Sequence, residues 1–441
     1  MTIKRIQLAL VHVAVTLTLL PINSTLNRVM IKELAVSATL VAVLASLPYL
    51  FSPIQVAIGT HADRHPIFGL RRTPYIALGL ILCVLGALLA PQAAFILADN
   101  LPLGLLVAAL AFGAWGMGYN FSAVSYLSLA SELWDEQGRT RTIAVMFSLM
   151  IISIIIMAVV IGHIVEPYSP EALQRAFWVV AGVSTLLGIL GLIRLEPGFD
   201  PAAAGWTERP TTRQMIGALT GNPQVRRFFV YLVVLLAAIL GQDVLLEPYA
   251  AEAFNMSVQQ TTRITSLWGT FMLVTLVTAG FLQRWISKRS VARVGAVLAL
   301  LGFLLITISG LTGQTGVFYA GVSLLGLGTG LATTSNLSLM LDMTTQGNAG
   351  LFVGAWGVAN ALSRLLGSLM AGGVRDLVSM SAHSPVVGYV VVFGAMALMM
   401  AASLMLLGSI DVNAFRSEAK AQLSGSSLVE QAALMSEAGG S

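Results

Sequence analysis

Apolar runs of about 20 residues recur from one end of the chain to the other, with polar residues gathered in short clusters between them. At 1.5 Å per residue, a helix of that length crosses the roughly 30 Å of hydrocarbon in a bilayer. Breaking the runs at charges, Pro-Gly turns and polar clusters predicts spans over 6–26, 35–59, 73–95, 101–131, 140–164 and 173–194. A polar stretch at 196–227, rich in Pro, Thr, Gly and Arg, separates these from spans over 228–250, 262–283, 291–310, 314–341, 350–374 and 384–409. The pattern therefore predicts an all-α integral membrane protein. It has an N-terminal six-helix bundle over 1–195, a cytoplasmic linker over 196–227 and a C-terminal six-helix bundle over 228–410. From Asp411 the composition turns to Ser, Ala and Glu, and 411–441 reads as a soluble cytoplasmic tail without a packed core.

Composition sharpens this reading. Of 441 residues, 56% are hydrophobic and 10% charged, against about 25% charged in a soluble globular domain, so a water-soluble protein is excluded. Lys4-Arg5 followed by the apolar stretch Ile6 to Leu20 imitates a secretory signal. No small-residue cleavage site follows, and Asn23 to Arg28 is polar, so the stretch reads as a retained first span. The single cysteine, Cys83, lies inside an apolar run, leaving no intrachain disulfide and no cysteine-built metal site.

Eighteen of the 24 basic residues fall on one predicted face: residues 4–5, 64–72, 139–141, 194–227, 284–293 and 416–420. Arg28, Lys32, Arg175, Arg263 and Arg375 fall on the other. Positive flanks are retained in the cytoplasm, so twelve spans place both termini there. A weak internal repeat supports two halves. Leu127-Ser128-Leu129, then Glu132 and Gln137-Gly138, is echoed by Leu337-Ser338-Leu339, then Asp342 and Gln346-Gly347. More loosely, Gly59 to Arg72 matches Gly280 to Arg293, each a glycine followed by a basic loop. Halves repeated in this way are the mark of transporter folds whose sites lie between them.

Few residues carry chemistry. The loop from Gly59 through Asp63 and Arg64 to Arg71 and Arg72 sets a carboxylate among guanidinium groups at the cytoplasmic mouth. Asp63 is suited to accept the amides of a helix N-terminus or to pair with an arginine, as a latch that breaks on opening. The same arginines also serve as plain topology determinants. Glu132, with Arg139 and Arg141, is expected to belong to this charge system. In span 7, Gln242, Asp243 and Glu247 lie close together, the two acids four residues apart and so on one helix face.

Helical rise from Phe228 puts Asp243 roughly 23 Å across the bilayer and Glu247 at the outer interface; Arg364 in span 11 sits about 21 Å across. An Asp243 to Arg364 pair is expected, either lining a cavity or purely stabilising. His12 is the one histidine well inside a span and the only candidate ligand for a cofactor metal, although such a residue more often hydrogen-bonds a neighbouring helix. Glycines 113, 116, 118, 326, 328, 330, 354, 357 and 367 are expected to allow close helix packing. No GxxxxGK[ST] nucleotide loop and no HExxH zinc pair occurs, and no nucleophile, base and metal constellation suggests an enzyme. Neither a nucleotide, a structural metal nor a nucleic-acid partner is expected.

Four segments together resemble a known family: LNRVMIKEL at 26–34, GTHADRHPIFGLRRTPYI at 59–76, QDVLLEPY at 242–249, and GAWG at 354–357 with GGVRD at 372–376. They are similar to the PucC-like bacteriochlorophyll delivery branch of the major facilitator superfamily, a resemblance running from about residue 5 to 410. The first and third are the more specific; the 59–76 loop is generic to facilitators. The resemblance implies a major-facilitator fold and a role in assembling light-harvesting antenna in a photosynthetic membrane. Bacteriochlorophyll or chlorophyll would be the cargo. The implied partners are light-harvesting and reaction-centre polypeptides and late pigment-synthesis enzymes. Asn27, Arg28 and Glu33, inside the first motif, are implied in partner contact or closure of the outer mouth. The second-half loop, Gln283 to Arg293, lacks an Asp-Arg pair like Asp63-Arg64, so a symmetric double latch is not implied. Read without the resemblance, the residues also suit a proton-coupled secondary transporter of a small solute, with Asp243 or Glu247 carrying the proton.

Overall fold

The computed structural model describes residues 2–134, 136–198, 223–342 and 349–410. Most of the expected linker, the whole expected tail and Gln346-Gly347 of the repeat lie outside the described residues, as do the side chains of Asp63, Gln137, Asp342 and Gly354.

The first half comprises α1 (Thr2–Leu17), α2 (Leu19–Pro21), a wide π turn over Ile22–Leu26, α3 (Asn27–Lys32), α4 (Ala38–Ala45), α5 (Leu47–Leu50), α6 (Ile54–Arg64), α7 (Thr73–Asp99), α8 (Leu101–Glu132), α9 (Glu136–Ile164) and α10 (Pro170–Leu192). The second half comprises α11 (Pro223–Gly241), a tight turn over Gln242–Val244, α12 (Leu246–Phe254), α13 (Val258–Leu282), α14 (Lys288–Thr312), α15 (Thr315–Asp342), α16 (Ala349–Ala382) and α17 (Pro385–Gly408). Among the described residues, the only strand-like pairing is a bridge between Ile67 and Leu70.

Ten runs among the described residues are long and apolar enough to cross a membrane. The two expected spans outside that set differ for identifiable reasons. The stretch 38–64 is divided into α4, α5 and α6 at Ser46 and around Pro48 and Pro53, because proline offers no amide to the helix ladder. The helix α16 is continuous and 34 residues long, about 51 Å, but carries Asn360, Arg364, Arg375 and Asp376 along its length.

Two further expectations are corrected. The first span does not end at residue 26: the chain widens at Pro21, turns once as a π helix and continues to Lys32, so residues 23–28, read as a polar connection, are helical. The seventh span is not one continuous helix but breaks at Gln242–Val244.

Within each half, the tightest seam is made by glycine. A Cβ on Gly79 would lie 2.6 Å from the Gly118 carbonyl oxygen, and one on Gly118 would lie 2.5 Å from that of Gly79. In the second half, a Cβ on Gly295 would lie 2.9 Å from the Gly328 oxygen and one on Gly328 2.6 Å from that of Gly295. Thus α7 lies on α8, and α14 on α15, with backbones nearly touching, as membrane helices do when only packing draws them together. The halves meet where α9 packs on α13, α4 on α16 and α3 on α12.

Candidate functional site

Of the first-half motif, Glu33 stands in the exposed turn that ends α3, but Asn27 and Arg28 do not stand in an outer loop. Asn27 and Arg28 are buried, at 0% and 4% exposure, because α3 carries them against the second half. Arg28 pairs with Glu33 and donates to the Met256 carbonyl at 3.3 Å. One turn earlier, Ser24 donates to Glu247 Oε1 at 2.6 Å, and Thr25 and Thr262 lie 3.4 Å apart oxygen to oxygen. Glu247, expected at the outer interface on the face of Asp243, is instead buried at 3% exposure. The break at Gln242–Val244 swings it away to meet Ser24 and, at 2.6 Å, Thr265. Both hydroxyls use the same oxygen, and Glu247 Oε2 has no partner among the described residues.

A second cross-half contact lies nearby. Asp376 near the end of α16 accepts the amides of Ala38 (3.1 Å) and Thr39 (2.7 Å) and the Thr39 hydroxyl (2.7 Å), taking up donors that begin α4. Arg375 holds that carboxylate at 3.0 Å, reaches Glu252 at 2.9 Å and lies 5.0 Å from the centre of the Tyr389 ring. The Gln259 amide donates to Glu166 at 3.2 Å and the Ser266 hydroxyl to the Ile155 carbonyl at 3.2 Å. Among the described residues, all these bonds between halves lie towards the end of the bundle away from residue 2. Helix-cap bonds contribute about 0.5–2 kcal/mol. Asp376→Ala is therefore expected to lower the thermal midpoint of the detergent-purified protein by a corresponding amount, and Asp376→Asn, which keeps an acceptor oxygen, to recover part of it.

Deeper between the halves, Arg364 Nη1 donates to Asp243 Oδ2 at 2.6 Å, and Gln242 donates to the other carboxylate oxygen at 2.7 Å. The guanidinium carbon lies 5.0 Å from the centre of the Tyr49 ring, which lies 6.3 Å from that of Tyr119. The short α5 places Tyr49 there, and Asn120 secures it by donating to the Pro48 carbonyl at 2.8 Å. A pair from the second half is thus roofed by an aromatic face from the first. Each charged side chain keeps 23% exposure, so the pair borders space between the halves rather than being sealed in.

At the end carrying the N-terminus, Glu132 pairs with Arg72 and lies 3.6 Å from Arg71, while Arg139 and Arg141 stand in the first turns of α9. Arg72, at 2% side-chain exposure, is no surface topology charge. Glu196, which no motif singles out, is a further member of this cluster: its carboxylate accepts the amides of Arg71, Arg72 and Thr73 at 2.7–3.0 Å, capping α7. Gly59 and Arg64 lie in the last turns of α6. The latch assigned to Asp63 lies outside the described side chains.

His12 is enclosed within the first half, 4% exposed, its ring centre 5.2 Å from those of Tyr126 and Phe147. Among the described residues, no group of three His, Cys, Asp or Glu side chains is placed to hold a metal. Of the glycines expected in close packing, Gly116, Gly118, Gly326, Gly328, Gly330 and Gly367 have neighbours within contact distance of an added Cβ; Gly113 and Gly357 face open space.

Comparison with known proteins places this architecture. A family model described as PUCC protein matches residues 25–415. Protein PucC of Rhodobacter capsulatus is 33% identical over 388 residues, covering 85% of this chain and 84% of that one. Protein PucC of Cereibacter sphaeroides is 32% identical, covering 88% of each. The Bacteriochlorophyll synthase 44.5 kDa chain of Rhodobacter capsulatus is 28% identical, covering 89% of this chain and 92% of that one. Among solved structures, the nucleoside transporter NupG superposes with a TM-score of 0.69 at 15% identity, covering 92% of this chain and 99% of that one. A POT family transporter gives 0.70 at 13% identity, covering 92% and 96%. The structural likeness establishes the major-facilitator fold, and the sequence match establishes the family: this chain is a multi-pass membrane protein belonging to the PUCC protein family.

Proposed function

We propose that this protein delivers (bacterio)chlorophyll to light-harvesting polypeptides as they assemble in the membrane of a photosynthetic bacterium, and that it does so without catalysing a reaction. The observation that carries the reading is the PUCC match over residues 25–415; a relative named as a bacteriochlorophyll synthase chain adds to it. In support, a few polar groups cluster between the halves around Asp243, Arg364 and Tyr49, and a small set of placed polar groups is what orients a ligand bound mainly by apolar contact. In this reading the partners are antenna and reaction-centre polypeptides and the last enzymes of pigment synthesis, and the membrane is the photosynthetic one.

The test is the absorption spectrum of detergent-purified protein from a pigment-making host, with stoichiometry by solvent extraction. A red chlorin band near one pigment per chain is the expected result. A colourless protein from such a host overturns pigment holding.

A second reading, proton-coupled transport of a small solute, is favoured by one observation: two carboxylates, Asp243 and Glu247, stand in the contact zone of a transporter fold. Flux in proteoliposomes that follows a pH gradient and is lost in Asp243→Asn would support this reading over delivery.

A further inference from the structure

At the end of the bundle that carries the N-terminus, two aromatic side chains are almost bare: Phe68 is 96% exposed and Trp285 79%. Phe68 is no slack loop residue. Ile67 and Leu70 exchange backbone hydrogen bonds at 2.9 and 3.0 Å, closing a two-residue turn in which Phe68 and Gly69 have φ of +53° and +71°. Glycine takes such a backbone freely; phenylalanine does so with its Cβ crowded against the following carbonyl. The base is rigid. The Tyr75 hydroxyl donates to the His65 carbonyl at 2.9 Å, and the Glu196 carboxylate gathers the amides of Arg71, Arg72 and Thr73. A strained backbone on a fixed base therefore presents an apolar ring that is almost fully exposed among the described residues, and strain of this kind clusters at functional sites.

The second half repeats the arrangement in a different local form. Trp285 stands three residues beyond the end of α13 and three before α14 begins, in the loop that loosely matches the first-half loop. Exposed cations lie near both rings in sequence: Arg64 four residues before Phe68, Arg284 next to Trp285 and Arg293 in the second turn of α14, with the Arg284 guanidinium 5.3 Å from the Phe281 ring centre. Chain length limits where the rings can go. Phe68 is four residues beyond the end of α6, so it lies within roughly 14 Å of that helix end. That distance reaches the headgroup layer.

We propose that Phe68 and Trp285 are paired interfacial anchors, one on each half, which seat the protein on an anionic lipid surface with Arg64, Arg284 and Arg293 against the headgroup phosphates. Aromatic rings prefer the boundary between hydrocarbon and water, and cations beside them add attraction to acidic lipids that salt weakens. With one anchor on each half, lipid charge bears on the angle between the halves as well as on attachment.

The single cysteine makes the test direct, because Cys83 is buried and Cys83→Ser leaves a chain labelled only where a new thiol is placed. The full chain carrying Phe68→Cys or Trp285→Cys is labelled with a nitrobenzoxadiazole dye and placed in nanodiscs of phosphatidylcholine, with or without phosphatidylglycerol. The expected result at both positions is a blue-shifted emission in the anionic discs. Acyl-chain nitroxide should quench it several-fold more than aqueous iodide, and high salt should remove the anionic increment. The same emission in both discs, with iodide the stronger quencher, overturns the proposal. So does a blue shift that appears only when an antenna polypeptide is added, which would make the tips a protein docking surface. A second measurement needs no label: Phe68→Ser/Trp285→Ser is expected to retain several-fold less phosphatidylglycerol per chain by native mass spectrometry, and unchanged retention overturns the proposal.

Discussion

Arg364→Leu, in a chain that keeps Asp243, is expected to destabilise the fold more than the loss of any one helix cap or interhelical hydrogen bond. Removing one partner of a buried ion pair strands the other charge and costs about 3–5 kcal/mol. The 23% exposure of each side chain places this pair at the lower end of that range. The double variant Asp243→Asn/Arg364→Gln leaves no stranded charge and retains polar contact, so its thermal midpoint should return close to that of the parent. The two variants also separate scaffold from function. A double variant that folds but no longer supports antenna assembly shows that the charges act on cargo or movement. One that folds and functions shows that the pair only stabilises.

The second large effect is expected where α11 crosses α16. A Cβ on Gly241 would lie 2.7 Å from the carbonyl carbon and oxygen of Gly367, which are backbone atoms that cannot step aside alone. Gly241→Val should therefore cost about 1–3 kcal/mol or more by overpacking. The damage should reach the site, because Gly241 is two residues from Asp243 and Gly367 three from Arg364. Gly357→Ala is the control on the same helix. Nothing lies within 4 Å of a Cβ there, and alanine favours a helix over glycine by about 0.8–1 kcal/mol. Thermal midpoints that fall in the first and hold or rise in the second would confirm the crossing. Equal midpoints would show that the helices separate without cost.

Most spans were legible because hydrocarbon thickness sets their length, and α7, α10, α14 and α17 begin and end within about four residues of the apolar boundaries. The match of Asp243 with Arg364 was legible for a similar reason: constant rise converts sequence position into depth. Breaks in helices were not. Pro21, Pro48 and Pro53 interrupt runs read as spans, and composition does not say whether a proline ends a helix, widens it or divides it. The polar residues 23–28 read as a connection because their partners, Glu247, Met256 and Thr262, lie more than 200 residues away. Glu132 was legible as a member of the charge system that includes Arg71 and Arg72, but its particular partner was not, because charges on one membrane face are equal candidates until the helices are placed. One missed signal was present: Gly79 and Gly86 are seven residues apart, as are Gly295 and Gly302, and these pairs make the same seam in both halves.

The bonds joining the halves at one end fix how seldom that end opens. Interhelical hydrogen bonds in membrane proteins contribute about 0.6 kcal/mol each on average. Counted once for each of Ser24, Thr25, Arg28, Ala38, Thr39, Gln259 and Ser266, these contacts together hold that end by roughly 4 kcal/mol. Unaided, an equilibrium biased by that amount leaves about one molecule in a thousand open at the sealed end. A cargo or partner that favours opening must bind the open form about a thousandfold more tightly to bring the two forms level. Among the described residues the halves are thus tied together at one end, and whatever parts them there must first offset those bonds.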